Sequence, residues 1–334
     1  MTTHSLEEDW TNVTTVNNTT VDLPNTRSNR LIFIPLLTVL STTGTFANAL
    51  VIFTIYRIKS LRKTYNMFVV SLAVADFTVC SIYGLSIIYI SNENGWYLDP
   101  RICVSLAVLV VSTVMVSNML MTFIAINRYC LVVKGLSTYR RVFTKNSSIL
   151  MVCAAWMWGI LFIIPPLVGF GQFGFDEGLN CCLLPNTVES NRDYWVLMLS
   201  VGFGFPVTVS TFCYVQIYRV VRGSRLKVQQ ETAAAGRENS RRKADVKLTK
   251  DLFVMYGVFC ICTIPNAVAR VTDQEQVVLP RIVHSLIGVA MWSNSVWNPM
   301  LLSLRNKEFR TAIYASLSSQ RIQQAFSVSK PSQS

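Results

Sequence analysis

The stretch MFVVSLAVADFTVCSIYGLSIIYI, Met67 to Ile90, is apolar from end to end except for scattered hydroxyls and one carboxylate, that of Asp76. A run of about 20 apolar residues is what a helix needs to cross a bilayer. Six further runs stand on either side: Leu31 to Ile55, Ile102 to Ile126, Ile149 to Phe170, Trp195 to Val220, Leu252 to Val268 and Ile282 to Leu304. Leu252 to Val268 is the shortest and needs flanking residues at both ends. Only 14% of the 334 residues are charged, against about 25% in an ordinary soluble protein. The expected fold is an all-α membrane protein, a seven-transmembrane helix bundle over residues 31–304.

The links between runs orient the bundle, because Lys and Arg collect on the cytoplasmic side. RIKSLRK, RYCLVVKGLSTYRRVFTK, the stretch from Arg219 to Lys250 and the tail after Leu304 hold 24 of the 30 basic residues. Of the 18 acids, 12 lie on the opposite side, five with the basic links, and Asp76 alone within a span. The expectation is a plasma-membrane, multi-pass chain with its N-terminus outside and its C-terminus cytoplasmic. The net charge of +12 then reflects topology and attraction to anionic membrane lipids, and it requires no nucleic-acid partner.

Residues 1–30 lack the apolar core of a signal peptide but hold three N-x-Ser/Thr triplets, at Asn12, Asn17 and Asn18. These read as glycosylation acceptors on an extracellular tail. A fourth triplet, at Asn146, falls on the cytoplasmic side and should be silent. Cys103 stands at the outer start of the third run, and Cys181 and Cys182 lie in the link after the fourth. An outside disulfide from Cys103 to either of that pair is expected, and the remaining cysteines are packing residues. Residues 305–318 alternate basic and apolar positions, with Phe309, Ile313 and Leu317 four apart, as in a short amphipathic surface helix. Residues 319–334, rich in Ser and Gln, form a disordered cytoplasmic tail.

A carboxylate inside a membrane span marks a functional position by default. Asn48, Ser117, Asn294, Ser295 and Asn298 recur on other runs at similar depth to Asp76. A carboxylate with hydroxyl and amide oxygens suits a hard monovalent cation or an ordered water cluster. A neutral Asp76 bonded between helices as plain structure fits the same residues. Pro206, Pro265 and Pro299 fall inside the fifth, sixth and seventh runs, where each removes a backbone hydrogen bond and bends its helix.

Taken in order, these residues resemble the rhodopsin-like (class A) G-protein-coupled receptors. The landmarks are GTFANALV with Asn48, LAVAD ending at Asp76, Cys103, INRY with Arg128 and Tyr129, Trp156, Pro206 with Tyr214, FCICTIP with Pro265, and NPMLL with Pro299. VVSLAVAD, NGW at Asn94 and AINRYC are similar to melatonin-type receptors, whereas GQFGFDEGLNC looks like the moody and trapped-in-endoderm group of invertebrate orphan receptors. The resemblance implies a receptor that activates heterotrimeric G proteins, with arrestin and receptor kinases as further partners. It implies an allosteric sodium pocket at Asp76, Ser117, Asn294, Ser295 and Asn298, and no covalent cofactor. It also assigns coupling and switch roles to Arg128, Tyr129, Tyr214, Pro265 and Pro299. Three positions depart from the family pattern. Asn127 replaces the acid before the arginine, Thr263 replaces a tryptophan, and Leu302 replaces a tyrosine.

The outer half of the third run, SLAVLVVSTVMV, carries no acid; Val110 occupies the facing position that amine receptors give to a carboxylate. Trp292 stands where opsins carry the retinal lysine, so a Schiff base is excluded. Gly202 sits near the place of the histidine expected for melatonin. The expected ligand site is an apolar surface of Val110, Val114, Met198, Met291 and Trp292, rimmed by Asn266, Arg270 and His284. Such a site suits a lipid-like or small amphipathic molecule, whose acidic group Arg270 and His284 could orient; a snorkelling Arg270 is the plainer alternative.

Rival membrane functions are less well served. No paired repeat of a transporter is visible, one buried acid is thin for a proton path, and the two histidines, His4 and His284, do not build a hydrolytic site. A non-signalling or arrestin-biased decoy receptor remains as the alternative. Asp245 lies twenty residues before Pro265, about 30 Å along a helix, at the depth of Arg128. A pair between Arg128 and Asp245 is expected to tether the third and sixth helices.

Overall fold

The computed structural model describes residues 27–93, 96–176, 181–185, 187–228, 236–273 and 278–317. The glycosylation triplets at Asn12, Asn17 and Asn18 and the tail 319–334 lie outside the described residues. Among the described residues, seven long helices form the bundle. The first is Arg27–Arg57. The second runs from Asn66–Thr78 through a π turn, Val79–Tyr83, into Gly84–Glu93. The third, Pro100–Tyr129, continues into a π turn at Cys130–Lys134, and the fourth is Lys145–Leu161. The fifth is built of Ser190–Leu197, a π turn at Met198–Gly204, and Phe205–Val228. The sixth is Gly236–Thr272 and the seventh Arg281–Arg305; Lys307–Leu317 follows as a surface helix.

Six of these helices are long and apolar enough to cross a membrane by length and composition. The seventh is more polar because Ser295 and Asn298 turn inward and are buried. It packs between the first and sixth helices. The helical ends are set locally. Asp99 accepts a hydrogen bond from Arg101 N at 2.7 Å and Pro100 occupies the first turn, so the third helix starts there, as capping and a proline at the first position favour. Thr144 caps the fourth helix by accepting from Ser147 N at 3.2 Å. Pro165 and Pro166 fall beyond its end, in a single turn at Ile164–Leu167. The fifth and sixth helices run past their apolar stretches, so residues 219–228 and 236–250 of the link are helical, as their Arg and Lys content favours.

In the link between the fourth and fifth helices, β1 Gly174–Asp176 pairs antiparallel with β2 Cys181–Leu183 as a hairpin. Cys103 is joined to Cys182, not Cys181. Adjacent strand residues point to opposite faces, and it is Cys182 that turns down onto the third helix. The Cys181 thiol stays free and is pushed up to about 12 by burial, with the Asp176 carboxylate adding to the shift.

Two apolar clusters fill the bundle. The one beneath the hairpin joins Tyr83, Val110, Val111, Met115, Phe162, Tyr194, Met198 and Phe203. The one at the Arg128 end joins Phe68, Leu72, Met119, Leu120, Ile124, Tyr214, Met255, Tyr256 and Phe259. The surface helix buries Phe309 and Ala312 against Val51, Ile55, Leu61 and Leu302.

The prolines are handled unequally. Pro206 has no N–H to offer the carbonyl of Gly202, four residues earlier, and Asn118 of the third helix donates to that carbonyl at 2.8 Å. Thr122 adds a bond to Pro206 O at 3.2 Å and accepts one from Ser210 at 3.1 Å. Pro299 likewise leaves Ser295 O without its helical donor, and Asn48 of the first helix supplies one at 2.9 Å. In hydrocarbon such replacement of a lost backbone bond is what makes a proline tolerable. Pro265 breaks the sixth helix in the same way, yet among the described residues no side chain donates to Ile261 O, and Ile261 itself is exposed.

Candidate functional site

Three polar centres lie along the bundle axis. The middle one is Asp76, which is buried. Its Oδ1 accepts from Ser295 at 2.9 Å and from Ser117 at 3.3 Å, and its Oδ2 accepts from Asn298 Nδ2 at 2.9 Å. The second, third and seventh helices thus meet on one carboxylate. Asn294 is not among its partners; its Oδ1 is buried and has no hydrogen-bond partner among the described residues. Asn48 Oδ1 is in the same condition, while its Nδ2 also bonds Gly44 O at 2.9 Å. One carboxylate, two hydroxyls and unused amide oxygens are hard oxygen donors with a single negative charge. That set fits a monovalent cation better than a divalent one, and no group of three or more His, Cys, Asp or Glu able to hold a metal occurs among the described residues.

The second centre is at the hairpin end. Val110 and Met198 sit together in the apolar cluster with Val111, Met115 and Phe203, and Val114 packs against it. A Cβ on Gly202 would meet Met115 Sδ at 2.9 Å and the Phe162 ring at 3.1 Å, so the third, fourth and fifth helices close tightly at this depth. Met291 and Asn266 are half-buried. Trp292 does not join them: it packs with Leu37 and Val79 of the first and second helices, and a Cβ on Gly84 would strike its ring at 2.7 Å. The rotation of the seventh helix takes Trp292 away from Val110, so it does not line that apolar surface.

His284 is also otherwise engaged. Its Nε2 lies 2.9 Å from Asp273 Oδ2, and the same carboxylate accepts from Val278 N at 2.9 Å and Leu279 N at 2.7 Å. The pair clasps the sixth helix to the start of the seventh, and His284 is not a free rim residue. Arg270 is half-buried, with its guanidinium 5.0 Å from the centre of the Trp195 ring. Tyr83, Asp176 and Cys181 stand close enough to act on its charge, and the Tyr83 hydroxyl donates to Cys182 O at 3.1 Å. Neither Trp195 nor Asp176 was singled out by sequence: Trp195 reads as one more apolar residue at a helix start, and Asp176 as a loop acid.

The third centre is at the opposite end. Arg128 is only 3% exposed, and its guanidinium lies 4.6 Å from the centre of the Tyr65 ring, within the range of a cation–π contact. Tyr65 is held at the head of the second helix because Asn66 donates to Leu61 O at 2.6 Å. Asn127, 1% exposed, has both side-chain amide atoms buried without partners among the described residues. Tyr65, Phe68, Ile124, Asn127, Arg128, Leu252 and Leu302 line one narrow cleft there, so the sixth helix stands close against the second and third. Tyr214 stacks on Tyr256 with centroids 5.0 Å apart and reaches Leu252 O at 3.4 Å. Tyr129 faces the fifth helix instead, 6.0 Å from the Phe212 ring. Leu302 is packed among apolar residues of the first and surface helices. Asp245 belongs to the sixth helix, and its side chain falls outside the described residues.

Residues 47–302 match the family model of the seven-transmembrane receptors of the rhodopsin family. The chain is 32% identical over 269 residues to melatonin receptor type 1B-B of Danio rerio, covering 79% of this chain and 75% of that one. It is 26% identical over 300 residues to a violet-sensitive opsin of Xenopus laevis, covering 87% and 83%. Among solved structures, squid rhodopsin superposes with a TM-score of 0.75 at 22% identity, over 90% of this chain and 88% of that chain, a likeness of fold.

Proposed function

The chain belongs to the rhodopsin family of seven-transmembrane receptors, and from that premise we propose that it binds an extracellular ligand and activates heterotrimeric G proteins. In this reading the hairpin end faces outward in the plasma membrane and the Arg128 end faces the cytoplasm, as the basic links require. The observation that carries the reading is the contrast among the kinks. The breaks at Pro206 and Pro299 are bridged from neighbouring helices, and among the described residues the break at Pro265 is not. Of the three kinked helices, the sixth is therefore the one whose bend no neighbouring side chain fixes among the described residues, and its Leu252 lines the same cleft as Arg128. Its outward swing would open the cleft around Arg128, Asn127 and Tyr65 to a transducer; arrestin and receptor kinases would meet the same face.

Arg128 has a resting hold in the Tyr65 ring, and Asp245 of the sixth helix is the proposed second hold. Removing one member of a buried-edge charge pair leaves the other uncompensated, so Asp245→Ala should raise ligand-free signalling. The test is GTPγS uptake by purified G proteins on membranes carrying the receptor. Basal uptake rising severalfold supports the tether, whereas no uptake with any G-protein subtype would leave the arrestin-biased or decoy reading standing in its place. Asp76, Ser117, Ser295, Asn298 and Asn294 would hold a sodium ion, which would supply a fixed positive charge between the second, third and seventh helices. The ligand is proposed to be lipid-like or a small amphipathic molecule, its apolar part lying along Val110, Val114, Met198 and Met291. Val110 and Trp292 stand where an amine's partner acid and a Schiff-base lysine would be needed.

A further inference from the structure

Buried side-chain atoms without a hydrogen-bond partner among the described residues occur along the whole bundle, and two of them, Trp195 Nε1 and Asp176 Oδ2, lie at the hairpin end. Trp195 is 5% exposed, and its indole N–H has no hydrogen-bond acceptor among the described residues. A buried donor left unmade costs the full loss of its hydration. Arg270, stacked over that same ring, makes no hydrogen bond or ion pair with any described residue. Its fork of N–H donors is thus unused, though it is half-buried at the end of an apolar helix. Asp176 is close enough to act on its charge without engaging those donors. The Tyr83 hydroxyl nearby already donates its hydrogen bond to Cys182 O. Two helices therefore bring together two donors that no described residue meets, one of them permanently charged, while the carboxylate whose charge reaches Arg270, that of Asp176, is buried with its Oδ2 accepting no hydrogen bond from the described residues.

We propose that Arg270 and the Trp195 indole N–H form an anion subsite that takes the carboxylate or phosphate headgroup of an amphipathic ligand. A planar guanidinium matches either oxyanion with two parallel bonds, and the indole N–H supplies a third donor from the side. Trp195 also belongs to the apolar cluster of Val110, Met198 and Phe203, so the chain of such a ligand leaves the headgroup directly onto apolar surface. His284 has no part in the subsite, because Asp273 holds it. This inference rests on the ligand-binding role proposed above and names the ligand's chemical class.

The test uses the full chain in lipid nanodiscs and measures saturable binding of tritiated oleate and of a tritiated single-chain lysophosphatidate, with monoolein as the neutral competitor. Binding of either acid, not displaced by monoolein, supports the subsite, and the acid preferred tells a carboxylate from a phosphate ligand. Arg270→Gln should weaken binding about 10- to 100-fold and Arg270→Lys by about tenfold or less, as loss of charge-assisted bonds implies. Trp195→Phe keeps the ring under the guanidinium and removes only the N–H, and it should cost about three- to tenfold. Thermal melts and the intact Cys103–Cys182 bond show whether each variant is folded. The subsite is overturned if neither acid binds saturably, if monoolein competes equally, or if the folded Arg270→Gln receptor binds as before. GTPγS uptake is read separately: acid binding without uptake would sink the G-protein role and leave the subsite standing.

Discussion

The fifth and seventh helices differ from the sixth in one respect that their sequences share. All three carry a proline in a membrane span, and in two of them an asparagine from another helix bonds the carbonyl that the proline deprives. Asn118 serves Gly202 at 2.8 Å and Asn48 serves Ser295 at 2.9 Å. At Pro265 the corresponding carbonyl, that of Ile261, has no such donor among the described residues. A bridged kink is a fixed shape, because straightening it breaks a buried interhelical bond. An unbridged kink lacks that bond at the bend itself, so its angle is resisted only by contacts elsewhere along the helix, such as the Asp273–His284 clasp and the Tyr256 hydroxyl on Val207 O. On the reading proposed above, the difference separates the frame of this receptor from its moving part.

The comparison breaks most severely at Asn48. Asn48→Ala removes bonds to both Gly44 O and Ser295 O beside the Asp76 network, and should lower unfolding free energy by about 2–3 kcal/mol, read as a fall in melting temperature in nanodiscs. A melting temperature equal to the parent's would mean that the seventh-helix kink needs no bridge. Asn118→Ala removes a single interhelical bond and should cost about 0.6–2 kcal/mol, the range such bonds reach in membrane bundles. Pro206→Ala returns an N–H to Gly202 O from within the fifth helix. Combined with Asn118→Ala it should recover most of the loss, and the double-mutant cycle measures how much of the asparagine's worth is that one carbonyl. Additive losses would deny the bridge.

Much of this was legible in the chain. Seven spans follow from run length, because backbone polar groups in hydrocarbon must be satisfied within a helix. Asp76 and its partners followed from depth along those spans, and the structure brings Ser117, Ser295 and Asn298 onto the carboxylate. What depth cannot give is rotation. Met291 and Trp292 are neighbours in sequence, yet one helical step of about 100° carries Trp292 around to Leu37 and Val79. Nor does a linear reading choose between Cys181 and Cys182, since the choice depends on which face of a three-residue strand meets the third helix. The Tyr65 ring under Arg128, the Asp273 clasp on His284 and the Trp195 ring under Arg270 join residues from different helices or across a link. Each of those residues, taken alone, has an ordinary local explanation, so no spacing announces the contact. The asparagines show the same limit from the other side: Asn48 was conspicuous as a polar residue in a span, but its target, a carbonyl freed by Pro299, is a backbone atom that no side-chain pattern reveals.

The smallest effect on stability, and the sharpest on the comparison, is expected at Pro265 itself. Pro265→Ala gives Ile261 O a helical N–H and replaces the poorest helix former with the best. The sixth helix should become straighter and no less stable, with a gain of about 1 kcal/mol or less once the altered packing is counted. Function should move the other way. If bending at this hinge is what uncovers Arg128, a bond of about 1 kcal/mol that must be broken to bend lowers the open population about fivefold. Basal GTPγS uptake should fall by that factor, and the rise expected from Asp245→Ala should be blunted when both changes are present. Pro206→Ala and Pro299→Ala act on kinks already bridged and should leave uptake far less changed for the same restored N–H. Equal loss of uptake in all three proline variants would show that the bridges do not distinguish hinge from frame. A destabilised Pro265→Ala receptor with normal uptake would show that the bend is part of the packed core, and that the sixth helix moves, if it moves, as a rigid rod.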